Sequence, residues 1–145
     1  MNDMRRLHLS FAPTFSHVDM VRAAVNGICS DFFQLSSNAA SVLDFCLIIT
    51  ELMNNAVEHT DNVVLHAEIF LADREAVFRL ISAGKSFDPT QTAAMPNLKQ
   101  DDLPEGGYGL AMIQSLADGM EYERRQNRNM VTLHKTFPLT TEKEA

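Results

Sequence analysis

Glu51-Leu52-Met53-Asn54-Asn55-Ala56-Val57-Glu58-His59 closes a segment, Ser37 to His59, whose apolar residues recur at helical spacing. At that pitch Asp44, Glu51, Asn55 and Glu58 share one narrow face, and Val42, Cys46, Ile49, Leu52, Met53, Ala56 and Val57 lie roughly opposite. An ordinary amphipathic helix with a wet outer face has the same pattern. Leu47 and Ile48 argue against it, because they flank the polar stripe one turn earlier, where a solvent-facing helix would carry Lys or Glu. The stripe therefore reads as the floor of a pocket, with Leu47 and Ile48 as its dry edge.

Ahead of this helix, Leu7, Leu9 and Phe11 alternate with His8 and Ser10, which predicts a strand ended by Pro13 and Thr14. Val18, Val21, Val25, Ile28 and Phe32 predict a first helix over 15–33, capped by Ser16 with Asp19 completing a capping box. Gln34 to Ser37 is a polar break, and Ser36 or Ser37 can cap the central helix. After the helix, Thr60-Asp61-Asn62 reads as a turn. Alternation over Val63 to Leu71 and again over Ala76 to Ile81 predicts a hairpin turning at Ala72-Asp73, in an antiparallel sheet covered on one face. Gly84 to Gly109 carries Pro89, Pro96 and Pro104 with little periodicity, the composition of a lid, a binding loop or a disordered insertion. Gly106-Gly107-Tyr108-Gly109 opens a helix with Leu110, Ile113, Leu116 and Ala117 inward and Gly119 at its end. Met120 to Gln126 and Met130 to Phe137 form a last hairpin around Asn127 to Asn129. Strand, two helices, hairpin, long loop, helix and hairpin predict an α+β, two-layer sandwich of mostly antiparallel sheet with helices on one face. It forms a single domain over 1–139, with a frayed tail over 140–145.

Composition narrows the partners. The 145 residues are 46% hydrophobic and 21% charged, ordinary for a globular domain, and the net charge of −7 disfavours nucleic acid. Arg124, Arg125 and Arg128 form one basic knot, diluted by Glu121 and Glu123 and read as a charged hairpin tip. Cys29 and Cys46 sit in apolar helical patterns without metal spacing, as buried free thiols do in a reducing cytoplasm. The N-terminus lacks the pattern of a signal peptide, and the longest apolar run, Phe45 to Ile49, is too short for a bilayer. A cytoplasmic protein without a membrane partner is expected.

Three stretches could carry chemistry. Gly106, Gly107 and Gly109 precede a helix, where glycines admit close approach and free N–H groups with the helix dipole attract phosphate. Gly84 ends a strand, where a flat ring can slide against backbone. On the central helix a Glu and an Asn one turn apart suit phosphoryl transfer to a hydroxyl. Asn55 offers a neutral oxygen to Mg²⁺, and Glu51 can take the proton of the attacking hydroxyl.

In this order the three stretches resemble the GHKL, or histidine-kinase-like, ATPase superfamily, and within it the anti-sigma-factor serine/threonine kinases of bacterial partner-switching systems. Glu51-x-x-x-Asn55-Ala56-x-x-His59 resembles the N-box, Gly84-x-x-Phe87-Asp88-Pro89 a worn adenine box, and Glu105-Gly106-Gly107-Tyr108-Gly109-Leu110-x-x-Ile113 the second glycine box. Val131-Thr132-Leu133 with Lys135 resembles the closing strand. The resemblance implies ATP and Mg²⁺ as cofactors, Glu51 as general base and Asn55 as the Mg²⁺ ligand. It places Gly84 against the adenine and Thr132 behind it. Gly106, Gly107, Tyr108, Gly109 and Leu110 would meet the phosphates, under a lid over 86–105. It also implies protein partners, namely an anti-sigma antagonist, a sigma factor or a phosphatase, and a homodimer. His59 matches a family position, where packing at the helix end accounts for it; Lys85 matches none. The family's adenine box usually reads Asp-x-Gly-x-Gly, whereas here the residues are Ser82-Ala83-Gly84-Lys85-Ser86. Replacing a charge-assisted bond with a neutral one costs about tenfold in affinity, so a nucleotide-impaired or non-catalytic partner-switching module is the alternative.

Overall fold

The computed structural model describes residues 4–59, 64–86 and 107–138. In chain order they form β1 (Met4–Phe11), α1 (Phe15–Phe33), α2 (Ala40–His59), β2 (Leu65–Ala72), β3 (Glu75–Ala83), α3 (Gly107–Leu116), β4 (Gly119–Arg125) and β5 (Arg128–Thr136). The strands make one five-stranded sheet in the order β1-β2-β3-β5-β4, with every neighbouring pair antiparallel. The α+β architecture and the succession of elements agree with the sequence reading. The order within the sheet adds that the last strand is inserted between β3 and β4.

Strand alternation assigns the two faces. Leu65, Ala67, Ile69 and Leu71 on β2, Ala76, Phe78, Leu80 and Ser82 on β3, and Val131 and Leu133 on β5 are buried on the helix-covered face. Phe70, Arg79 and Thr132 belong to the other face, where Arg79 and Arg6 both lie over the Phe70 ring and pair with Glu68. Helix α2 is the central piece. Val42, Phe45, Ile48, Ile49, Leu52 and Met53 are all at most 1% exposed, and α2 packs on α1, α3, β3 and β5. Burying each such side chain contributes about 1.5–3 kcal/mol. By length and composition alone α2 could cross a membrane; its apolar residues serve as the core instead.

Several boundaries differ from expectation for local reasons. Helix α1 is capped by Thr14, whose Oγ1 accepts from the His17 N–H at 3.3 Å, and not by Ser16. Helix α2 starts at Ala40 because Ser36 to Ala39 forms a turn. There the Asn38 N–H donates to Ser36 Oγ at 3.1 Å and the Ala39 N–H to Ser36 O at 3.0 Å. Gly119 does not terminate α3. It is the first residue of β4, opposite His134, where a Cβ would come 3.4 Å from the imidazole. The last hairpin turns on Gln126-Asn127 alone, both at positive φ (53° and 62°), with Arg125 and Arg128 as the closing pair. Two residues at positive φ match the twist of the flanking strands, and this tighter turn brings Asn129 into β5. The tail over 140–145 lies outside the described residues.

Candidate functional site

Helix α2 presents its polar stripe as a gradient of burial. Glu58 is exposed, Asp44 and Glu51 are half-buried, and Asn55 is buried at 8% exposure. Asn55 Nδ2 has no hydrogen-bond partner among the described residues. A buried donor left unmatched costs about 1–3 kcal/mol, and such groups are rare enough in native folds to need a reason. The expected dry edge does not form: Ile48 belongs to the core, and Leu47 is 40% exposed. His59 is exposed too, its Nε2 lying 3.7 Å from Glu58 Oε2, so packing does not explain it. As a cation at a helix C-terminus it would be favourably placed.

The second wall is the end of β3. Ser82 is 6% exposed, on the same face as the core residues Leu80 and Phe78. Two residues on, Gly84 has φ 107°, a conformation L side chains rarely adopt, so glycine is required here. Its N–H donates to Asn127 O at 3.1 Å.

Sequence reasoning missed the residue that organises this wall. Asn129 is 1% exposed and sits directly opposite Ser82 on β5. Its Nδ2 donates to Lys85 O at 2.8 Å, and its Oδ1 accepts from Tyr122 Oη at 2.6 Å and Arg124 Nη1 at 3.0 Å. Arg124 Nη2 also donates to Gly84 O at 2.7 Å, and the Tyr122 and Ser86 hydroxyls are 3.1 Å apart. Arg124 is therefore part of a half-buried network and not only a charged hairpin tip, and Lys85 enters through its carbonyl. The period-two run Asn129, Val131, Leu133 was the available signal, but an Asn near a turn reads first as a turn residue.

Thr132 does not join this wall. Register puts it beside Arg79 on the opposite face of the sheet, where its Oγ1 accepts from Arg79 Nε at 3.2 Å. Gly107, Tyr108, Gly109 and Leu110 form the first turn of α3, where N–H groups lack intrahelical acceptors. Helix α3 packs on α2, so the glycine-opened helix and the Asn55 helix adjoin. Gly106, Phe87-Asp88-Pro89 and nearly all of the expected lid over 86–105 lie outside the described residues.

These groups suit a nucleotide with its cation. Among the described residues no cluster of three or more His, Cys, Asp or Glu side chains could hold a metal. A cation would therefore need oxygens that come with it, as phosphates do. Asn55 can add an amide oxygen, Gly84 an open backbone for a flat ring, and α3 its first N–H groups.

Comparison with known proteins supports the nucleotide. A family model described as histidine kinase-like ATPase domain matches residues 11–135. The chain is 29% identical over 92 residues to the serine/threonine-protein kinase BtrW of Bordetella bronchiseptica, across 60% of this chain and 65% of that relative, just under two thirds of its length. A crystal structure of the RsbU and RsbW domains of a Mycobacterium tuberculosis protein superposes with a TM-score of 0.59 at 19% identity. It covers 95% of this chain and 34% of that one, and shows a shared fold.

Proposed function

Because this chain belongs to the histidine kinase-like ATPase domain family, we propose that it binds Mg·ATP and phosphorylates a serine or threonine of a small antagonist protein. In the same partner-switching pathway it would hold a sigma factor when that antagonist is phosphorylated. The serine/threonine kinase named among its relatives supports the reaction type. The observation that carries the reading is Asn55, a buried side chain whose amide nitrogen has no hydrogen-bond partner among the described residues, one helical turn after a half-buried carboxylate, Glu51.

In this reading Asn55 turns its amide oxygen to Mg²⁺, and the N–H groups of Gly107, Tyr108, Gly109 and Leu110 hold the phosphates. The cation, when bound, offsets the charge that develops on the phosphates. Glu51 accepts the proton of the attacking hydroxyl while the new oxygen–phosphorus bond forms, the bond to the β-phosphate oxygen breaks and ADP leaves. Gly84 lies flat against the base, with Ser82 at its edge.

Purified protein, Mg·ATP and the antagonist encoded nearest to it should yield phosphoprotein. Glu51→Gln should abolish transfer while keeping ATP affinity, and Asn55→Ala should abolish both. No transfer to any such partner would reject the kinase. One observation favours a second reading, a partner-holding module without catalysis: the uncharged Ser82 at the base position. ATP affinity weaker than millimolar in calorimetry would select it.

A further inference from the structure

Leu43, Leu47, Glu51 and Asn55 form one ladder along α2, each four residues after the last. Every step advances about 6 Å along the axis and about 40° around it, and burial follows the ladder. Leu43 is 47% exposed and Leu47 40%, Glu51 is half-buried, and Asn55 is 8% exposed. Glu51 thus stands where the ladder passes from solvent into the fold. A protein that presents a hydroxyl to Glu51 reaches it from the exposed side of the helix, where Leu47 is the next residue of the ladder. A single exposed leucine is ordinary. Two at this spacing are neighbours on the helix surface and make one patch that leads to a carboxylate. Asp44 and Glu51 border Leu47 on one flank, and α2 carries no Lys or Arg. On α1, Arg22 is paired with Asp19. On the other flank Thr50 donates its hydroxyl to Cys46 O at 2.6 Å. The patch is therefore apolar with an acidic border, which complements an apolar side chain set beside a Lys or Arg.

From this we infer that Leu43 and Leu47 dock the phosphoacceptor segment of the antagonist, and that this segment carries large apolar side chains with a Lys or Arg beside them. The inference rests on the kinase reading above and adds the feature by which the acceptor is selected. Along the helix axis Leu47 lies about 6 Å from Glu51, and Leu43 about 12 Å. In an extended segment, at about 3.3 Å per residue, those spacings place the apolar side chains about two and four residues from the phosphorylated serine or threonine. They then share the face of the segment that carries the hydroxyl. The leucines hold the segment, and Asp44 orients it through the cation.

The test is steady-state transfer from Mg·ATP to the antagonist encoded nearest to this chain. Leu43→Gln and Leu47→Gln remove the patch and keep helix propensity. Together they should raise KM for the antagonist about tenfold or more, with kcat and KM for ATP unchanged. Leu47→Met should stay within about twofold of the wild type. Asp44→Asn should raise KM for the antagonist and flatten its dependence on salt. If the double variant does not fold, Leu47→Gln alone decides. An antagonist KM unchanged in the glutamine variants overturns the inference and leaves the kinase reading standing, and so does a loss confined to kcat. A salt dependence that Asp44→Asn leaves unchanged overturns the basic residue of the segment. No transfer by the wild type overturns the kinase reading and this inference with it.

Discussion

Cys29 and Cys46 show how burial alone sets the chemistry of a side chain. Both thiols are free and buried, one on α1 and one on α2. Desolvation pushes Cys29 up to about 12, with the neighbouring Cys46 adding to it. Burial also raises Cys46, against smaller lowering effects from Asn26 and Arg22. The thiolate is the reactive form, so neither should react with iodoacetamide at pH 8 until the chain unfolds. The sign for stability follows from proton linkage. Between the ordinary thiol value of 9.0 and about 12, the native state keeps a proton that the unfolded chain releases. Stability is therefore unaffected below about pH 9 and falls as pH rises toward 12. Urea titrations at pH 8, 9.5 and 10.5 should show that decline, and Cys29→Ala should flatten it. A slope identical in the variant would mean that other groups govern this range. Residues such as these were legible in the sequence as apolar-pattern cysteines. Asn55 was legible too, through its spacing from Glu51, although the missing partner on Nδ2 was not. Asn129 was hidden because its role depends on Tyr122, Arg124 and the carbonyl of Lys85, and these meet only once the sheet has formed.

At the scale of elements, periodicity located every helix and strand that the structure describes, and the errors lie at their ends. Ends are decided by single hydrogen bonds, such as Thr14 to His17 or Ser36 to Asn38, and side-chain periodicity carries no record of those. The β4–β5 hairpin was set one residue or more out of place for the same reason. Its turn places Gln126 and Asn127 at positive φ, a conformation costing about 1–2 kcal/mol for an ordinary L residue. Gln126→Asn with Asn127→Gly installs the sequence this turn prefers. The double variant should gain about 1 kcal/mol, or about 3 °C in Tm by scanning calorimetry. The carbonyl of residue 127 still receives the Gly84 N–H, so nucleotide affinity should not change. A lower Tm would show that the side chains at the tip contribute more than the backbone strain costs. The face assignment of Thr132 went wrong at this scale as well, because Val131-Thr132-Leu133 can be placed on either side of a sheet until a neighbouring strand fixes the register.

For the whole molecule, Phe137 is the point where the layers are joined. It is fully buried, stacks on Phe33 of α1 with centroids 4.2 Å apart, and meets Phe45 of α2 edge-on at 5.7 Å. Its N–H donates to Arg74 O at 2.6 Å, and its carbonyl accepts from Arg74 Nε at 3.0 Å. One residue thus ties the end of β5 to both large helices and to the β2–β3 turn. Phe137→Ala should cost about 3–5 kcal/mol in denaturant unfolding; a loss under about 1 kcal/mol would mean that the layers hold without it. The two-layer class could be inferred from the order of elements. The position of β5 inside the sheet could not, since strand order is a long-range property that local pattern leaves undetermined.

That position has a consequence for synthesis. A ribosome delivers β1 to β4 before the strand that bridges β3 and β4. Until β5 emerges, β3 carries an open row of backbone groups beside Phe78 and Leu80, and β4 has no neighbour in the sheet to pair with. Completion waits on pairings between distant parts of the chain, which form slowly. The nascent protein therefore passes through an interval in which its most apolar edge can be captured by another copy. For this fold the moment of greatest exposure to self-association comes just before the last strand arrives.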